Sequence, residues 1–315
     1  MDEDSYVSFE NITYRYSQAS RHTVLEDVSL DIKKGTVAVI MGSSGCGKST
    51  MAALMAGLYP EHAGILDSGR VLLCGSEPLS MEKAARTQRV GMMFQNPDLQ
   101  FCMDTLRKEM VFCLENISCP AGDMDRRIQE TVRLLGMEEV LDRKLYTLSS
   151  GEKQKAALCC LFLLDPEGFI LDEPCANVDE AYGRALALML KKRSQEQGST
   201  IIIIDHRLST WLDYADEIFI VGRKGRLAAR FPVSQLSQYR DLFEREGLAY
   251  PGPVSHRAVP QLEIMPGCMA QAGEDDIVME DFTLRPGKDA HPVLMDARVC
   301  FPAGRISALL GPSGV

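Results

Sequence analysis

The chain has no long apolar run. Its most hydrophobic stretches, such as Ile201 to Ile204 and Ala185 to Leu190, fall far short of the roughly 18 to 20 residues needed to cross a bilayer, so any membrane span is expected in a partner. The first residues, Met1-Asp2-Glu3-Asp4, lack the charged-then-apolar pattern of a secretory signal, and the expected compartment is the cytoplasm. Positive charge is in deficit: 34 Lys and Arg stand against 44 Asp and Glu. The resulting formal charge of -10 opposes broad nucleic-acid binding, which rests on neutralising phosphates. The ten cysteines include no Cys-x-x-Cys pair, which disfavours a zinc or disulfide framework. Cys159-Cys160, in an apolar helical run beside Leu158 and Leu161, reads as reduced core thiols.

With 315 residues and 45% hydrophobic content, the chain can bury a substantial core in one large domain or two ordinary ones. Alternation and β-branched content predict strands at Val7 to Tyr16 and Val24 to Ile32. Val37 to Met41 is a short continuous apolar run, as expected of a strand buried on both faces of a parallel sheet. It leads into a glycine-rich loop and a helical stretch, Lys48 to Leu58. Ser80 to about Leu145 reads as mostly helical, with an amphipathic segment at Asp125 to Leu135 stopped by Gly136. Helix, strand, helix and strand then follow at Gly151 to Leu164, Phe169 to Asp172, Glu180 to Arg193 and Thr200 to Asp205. Glu217 to Val221 and Arg226 to Arg230, joined across Gly225, read as a closing hairpin. This order implies an α/β fold with a mainly parallel sheet. Tyr250 to Asp276, rich in Pro and Gly and without periodicity, reads as an extended linker.

Gly42, Ser43, Ser44, Gly45, Cys46, Gly47, Lys48 and Ser49 complete the phosphate-loop pattern G-x-x-x-x-G-K-S, followed by Thr50. Its glycines let successive backbone N–H groups converge on phosphate oxygens, and the following helix adds its positive end. Lys48 is expected to reach the β- and γ-phosphates of ATP, and Ser49 to coordinate Mg²⁺. Cys46 sits at a helix N-terminus, where a thiol pKa can fall, or is simply a tolerated small residue. Gly168-Phe169-Ile170-Leu171-Asp172-Glu173-Pro174 is an apolar strand ending in two acids. Such a pair is often only a helix cap, but beside a phosphate loop Asp172 suits the metal and Glu173 an attacking water.

The opening of the module recurs. Val24-Leu25-Glu26-Asp27, Gly35 and Gly42 correspond at one constant offset to Val293-Leu294-Met295-Asp296, Gly304 and Gly311. Gly311-Pro312-Ser313-Gly314-Val315 restarts the loop and stops before a lysine, so a tandem repeat cut short is expected.

With these motifs in order, the chain resembles an ATP-binding-cassette (ABC) ATPase: a P-loop NTPase with an antiparallel β subdomain and a helical subdomain. Leu148-Ser149-Ser150-Gly151-Glu152-Lys153-Gln154 resembles the family signature L-S-G-G-Q, departing from it at Ser150 and Glu152. The resemblance implies that Ser149, Gly151 and Glu152 cap nucleotide held by an opposite module, in a homodimer or heterodimer. Gln95 matches the glutamine that senses the metal and couples to a membrane subunit. Ala176-Asn177-Val178-Asp179 resembles the loop crossing the dimer interface, and His206 the histidine that contacts the γ-phosphate. Tyr16 resembles the aromatic that stacks on adenine, with Tyr14 as its rival if the strand register differs by two.

Phe94-Gln95-Asn96-Pro97-Asp98-Leu99-Gln100-Phe101 resembles the stretch typical of energy-coupling factor (ECF) transporter ATPases. That branch implies a transmembrane coupling protein, a substrate-binding membrane subunit and a peripheral place on the cytoplasmic face of the membrane. The implied division is an ATPase domain at 5–247, a linker at 248–275 and the start of a second ATPase domain at 276–315. Glu173→Gln is expected to abolish turnover while preserving ATP binding. The rival readings are a soluble tandem ABC-type ATPase acting on ribosomes, a DNA-repair ATPase of the structural-maintenance type and an inactive transporter fragment. The Pro/Gly linker opposes the first, and the short interval between Lys48 and Ser149 the second.

Overall fold

The computed structural model describes residues 4–20, 22–251, 277–284 and 294–303. Its elements in chain order are β1 (Ser5–Arg15), β2 (Leu25–Lys33), β3 (Val37–Gly42), α1 (Lys48–Met55), β4 (Ile65–Leu73), α2 (Lys83–Arg89), β5 (Val90–Met93), α3 (Leu106–Asn116) and α4 (Ala121–Leu135). They continue with α5 (Ser150–Leu164), β6 (Gly168–Asp172), α6 (Glu180–Gln197), β7 (Thr200–Ile204), β8 (Glu217–Val221), β9 (Leu227–Pro232), α7 (Arg240–Arg245), β10 (Ile277–Leu284) and β11 (Leu294–Phe301). Contacts divide the chain into two units, residues 1–251 and 252–315.

In the first unit a six-stranded sheet runs β5-β6-β7-β3-β8-β9, parallel except for the edge strand β9. A three-stranded antiparallel sheet, β2-β1-β4, accompanies it. The expected two-sided burial of β3 is realised residue by residue. Val37, Val39 and Met41 enter the core shared with α3, α4, α5 and α6, while Ala38 and Ile40 enter the core shared with α1 and the antiparallel sheet. Strand β7 does the same, with Ile201 and Ile203 on one side and Ile202 and Ile204 on the other. A strand between two cores must be apolar at every position, which is why β3, β6 and β7 read as unbroken hydrophobic runs.

Helix α1 and strand β4 depart from expectation, and β5 is a strand within the stretch read as mostly helical. Helix α1 stops at Met55, with Ala56 as its C-cap, because Gly57 turns the chain at φ 69°. Strand β4 has no counterpart in the sequence reading, since Asp67-Ser68-Gly69-Arg70 interrupts any apolar pattern. Gly69 makes its passage possible: at φ 83°, a Cβ there would lie 2.3 Å from the Glu10 carbonyl oxygen and 2.5 Å from that of Asn11.

In the second unit β10 and β11 form an antiparallel hairpin. Its pairing repeats that of β1 and β2. Met279↔Val299, Phe282↔Ala297 and Leu284↔Leu294 stand where Phe9↔Leu30, Ile12↔Val28 and Tyr14↔Leu25 stand in the first hairpin, and the register shifts fall at the same two places. Residues 252–276, most of the expected linker, and the restarted loop at Gly311 lie outside the described residues.

Candidate functional site

The C-terminal ends of β3, β6 and β7 open onto one cleft of about 660 Å³. Tyr16, Gly42, Ser44, Gly45, Gly47, Lys48, Ser49, Thr50, Gln95, Asp172, Glu173 and His206 line it together with Val24. Residues from five separate sequence regions thus converge where ligands settle in α/β sheets, outside the carboxyl ends of the strands.

The loop between β3 and α1 is shaped by its glycines. Gly45 and Gly47 adopt φ 77° and 107°, and a Cβ on Gly42 would sit 2.4 Å from the Val221 carbonyl oxygen. Gly47 caps α1 without a side-chain hydrogen bond, so the first N–H groups of the helix have no capping oxygen from that residue. Lys48, buried at the loop's centre, donates from Nζ to the carbonyls of Gly42 (2.8 Å) and Ser43 (3.0 Å). The Cys46 thiol points into the core behind the loop, with its sulfur 3.8 Å from Lys48 Nζ. It is 3% exposed, so burial shields it from solvent oxidants and favours the packing reading of Cys46 over a redox one.

Across the cleft, Asp172 is buried and hydrogen-bonded to the Ser49 side chain. Burial pushes its carboxyl above the usual range; the Ser49 hydrogen bond and Lys48 pull it down, and the neighbouring Glu173 and Asp205 charges push it up. A divalent cation would relieve that excess of negative charge. The Ser49 hydroxyl, the Asp172 carboxylate and the Gln95 amide oxygen are hard donors of the type Mg²⁺ takes. Glu173 follows in a left-handed backbone conformation, φ 49°. Its Oε2 accepts from Gln95 Nε2 at 3.0 Å, and its Oε1 lies 3.6 Å from His206 Nδ1. The arrangement can hold a polyphosphate against backbone N–H groups and an ammonium, with a carboxylate beside the terminal phosphate to take a proton from water.

The two tyrosines separate clearly. Tyr14 is fully buried, stacked on Tyr59 and bonded through its hydroxyl to the Ala63 carbonyl at 2.8 Å. Tyr16 is 49% exposed at the rim, with its hydroxyl 2.7 Å from Thr50 Oγ1.

Ser149, Gly151, Glu152 and Asp179 do not line the cleft. Ser149 and Glu152 close a reciprocal cap on α5: Glu152 N–H donates to Ser149 Oγ at 3.3 Å, and Ser149 N–H to Glu152 Oε2 at 2.7 Å. Arg143 pairs with Glu152 at 3.1 Å. A Cβ on Gly151 would meet the Asn177 carbonyl oxygen at 2.6 Å, whereas Ser150 is exposed. Glycine is therefore a packing requirement at 151 and not at 150. Asp179 caps α6 by accepting from Tyr182 N–H at 2.8 Å.

Sequence reading gave Gln154 no role. Its side chain is fully buried, donating from Nε2 to the Glu173 carbonyl at 2.9 Å and accepting from Asn177 N–H at 3.0 Å. The one available signal was an uncharged polar residue between Lys153 and Lys155 ahead of the apolar part of α5. Gln100, within the Phe94–Phe101 stretch, has no role in the sequence reading either. It fastens the Asn96–Phe101 loop to β5, accepting from Phe94 N–H and donating to the Met92 carbonyl, both at 2.9 Å.

A family model described as "ABC transporter" matches residues 25–176. The putative HMP/thiamine import ATP-binding protein YkoD of Bacillus subtilis is 29% identical over 99% of this chain and 60% of its own length. A putative ABC transporter ATP-binding protein of Pyrococcus abyssi is 30% identical over 78% of this chain and 87% of its own. The solved structure of CbiO1 from Clostridium perfringens, described as part of the ABC transporter complex cbiONQ, superposes with a TM-score of 0.63 at 25% identity, covering 77% of this chain and 94% of that one. The chain spans less than two thirds of the length of the first curated relatives it matches.

Proposed function

The chain belongs to the family of ABC transporter ATP-binding proteins, and from that membership we propose that it binds ATP with Mg²⁺, hydrolyses it and drives transport by a membrane partner. The observation that carries the proposal is the Glu173 carboxylate, held between Gln95 and His206 at the mouth of the phosphate loop.

Lys48 and the loop from Gly42 to Thr50, Ser43 and Cys46 included, hold the phosphates, and Tyr16 stacks on adenine. Ser49, Gln95 and Asp172 would hold Mg²⁺, whose positive charge would offset the negative charge of the phosphates. Glu173 takes the proton of the attacking water, and His206 contacts the γ-phosphate. Ser149, Gly151, Glu152 and Asp179 serve the nucleotide of an opposite module, in a homodimer or heterodimer. In the full 315-residue chain, Glu173→Gln lowers kcat by about 100-fold or more and leaves ATP affinity within about threefold. Unaltered hydrolysis in that variant would remove Glu173 as the base.

The finer reading is an importer of the energy-coupling factor type, acting on a vitamin or a transition metal. It is supported by the Phe94–Phe101 stretch and by the import named for YkoD. Asp98 pairs with Lys153 of α5 at 2.8 Å, and Leu99 is 74% exposed, so this loop links the signature helix to an outward apolar side chain. No helix of the described residues is long and apolar enough to cross a membrane. On this reading the protein works peripherally, at the cytoplasmic face, with a transmembrane coupling protein and a substrate-binding membrane subunit. Affinity capture tests this: recovery of those integral membrane proteins supports it, and recovery of ribosomes refutes it. The domain division remains 5–247, 248–275 and 276–315, and the repeated hairpin register supports reading the last segment as the start of a second module.

A further inference from the structure

Asp205 directly follows β7 and is 2% exposed. Its Oδ1 accepts from Arg207 N–H at 2.9 Å, and its Oδ2 accepts from Trp211 Nε1–H at 2.8 Å. A carboxylate taken out of water is costly unless donors surround it, and these two N–H groups cover one oxygen each. The remaining contact is with His206, whose Nδ1 lies 3.6 Å from Asp205 Oδ1. The same nitrogen is 3.6 Å from Glu173 Oε1. A nitrogen lone pair facing two carboxylates would repel both, whereas an N–H is attracted by both.

We propose that Asp205 is a positioning residue for the ATPase reaction: with Glu173 it keeps the proton of His206 on Nδ1 and so fixes the orientation of the ring. Nε2 is then the nitrogen left to meet the γ-phosphate. With Nδ1–H turned to the two carboxylates, the ring is held facing the cleft that His206 lines. Arg207, which ties this loop to the Cys175 carbonyl at 2.7 Å, and Trp211, fully buried beneath it, keep Asp205 from turning away.

This inference rests on the ATPase reading, but its first test does not need turnover. The full chain labelled with ¹⁵N-histidine carries five histidines, and comparison with His206→Ala assigns the resonances of His206 among them. Protonated Nδ1 is expected; a proton on Nε2 alone overturns the proposal. Asp205→Asn conserves volume but presents an NH₂ group to one of the two N–H donors. It is expected to lower kcat about 10- to 100-fold, with KM for MgATP within about threefold. In a His206→Ala background the same substitution lowers kcat by less than about twofold, because Asp205 acts through the ring. Equal losses in both backgrounds, or an unchanged kcat, overturn the proposal. Emission of Trp211, the chain's single tryptophan, reports that the variant is folded, and if it is not, the ¹⁵N measurement on the unaltered chain decides. Absence of ATP turnover by the unaltered chain would instead sink the ATPase reading and leave the tautomer result standing.

Discussion

Gln154 offers a sharp test of how the signature helix is coupled to the acidic strand end. Its amide spans from α5 to the backbone on both sides of Pro174 to Ala176, satisfying the Glu173 carbonyl and the Asn177 N–H with one side chain. Gln154→Ala removes both hydrogen bonds, at about 1 kcal/mol each, and leaves a cavity where the four side-chain atoms beyond Cβ were buried, worth about another 2 kcal/mol. The expected loss is thus about 3 to 4 kcal/mol. Gln154→Glu keeps the volume but turns an oxygen toward the Glu173 carbonyl, and about 1 to 3 kcal/mol is expected for the orphaned acceptor. Urea unfolding followed at Trp211 reads both, since that residue lies in the same unit. With a slope of about 3 kcal/mol per molar urea, the alanine variant's midpoint should fall by about 1 M. The glutamate variant should also lose turnover, because the Glu173 backbone at φ 49° loses a donor that holds it. Midpoints within about 0.2 M of the parent in both variants would refute the bridge as a structural tie.

Tyr16→Ala should raise KM for ATP about 3- to 10-fold with little change in kcat, the loss of one stacking ring. Tyr14→Phe should cost about 1 kcal/mol of stability and leave nucleotide affinity alone; the reverse pattern in nucleotide titrations would exchange the two rings. Gly151→Ala forces a Cβ against the Asn177 carbonyl oxygen at 2.6 Å and should lower turnover by moving the loop that carries Asp179. Ser150→Gly should be structurally neutral or cost up to about 1 kcal/mol through helix propensity, as thermal denaturation would show. Burial holds the Cys159 and Cys175 thiols up at about 12, well above the ordinary thiol value near 9.0. Between those values the unfolded thiols release protons that the folded ones keep, so stability falls as pH rises, by about 1.4 kcal/mol per pH unit for each thiol. Cys159→Ala should make that alkaline slope shallower in urea titrations, and an unchanged slope would refute the assignment.

The strands that position the cleft were legible because each is buried on two sides and so tolerates no polar interruption. The phosphate loop, Asp172 and Glu173 were legible for a related reason: their chemistry demands particular residue types at fixed spacing along the chain. Strand β4 was illegible because its middle is solvent-facing and passes Glu10 and Asn11 on a left-handed glycine, which leaves no alternation to detect. Gln154 and Asp205 were illegible for a different reason. Gln154 acts on backbone about twenty residues further along the chain, and Asp205, though its partners Arg207 and Trp211 are near in sequence, meets them only through the fold of the loop after β7. Tyr16 lay between these cases, since both rings fit the strand pattern and only three-dimensional packing puts Tyr14 beneath Tyr59 and Tyr16 at the rim.

The geometry of Ser149 bears on the proposal that it serves the nucleotide of an opposite module. Within this unit its hydroxyl oxygen accepts from Glu152 N–H, while the hydroxyl proton remains to be donated outward from an exposed position at the start of α5. The helix end carries partial positive charge, reduced by the Glu152 carboxylate and restored in part by Arg143. That combination suits a phosphate oxygen, yet Ser149 does not line the cleft holding Lys48. An exposed cap turned away from its own cleft is what the proposed role toward another module's nucleotide requires. Arg143 tunes this surface from outside both clefts: Arg143→Ala would leave the Glu152 charge uncompensated and weaken closure between modules more than ATP binding by either one.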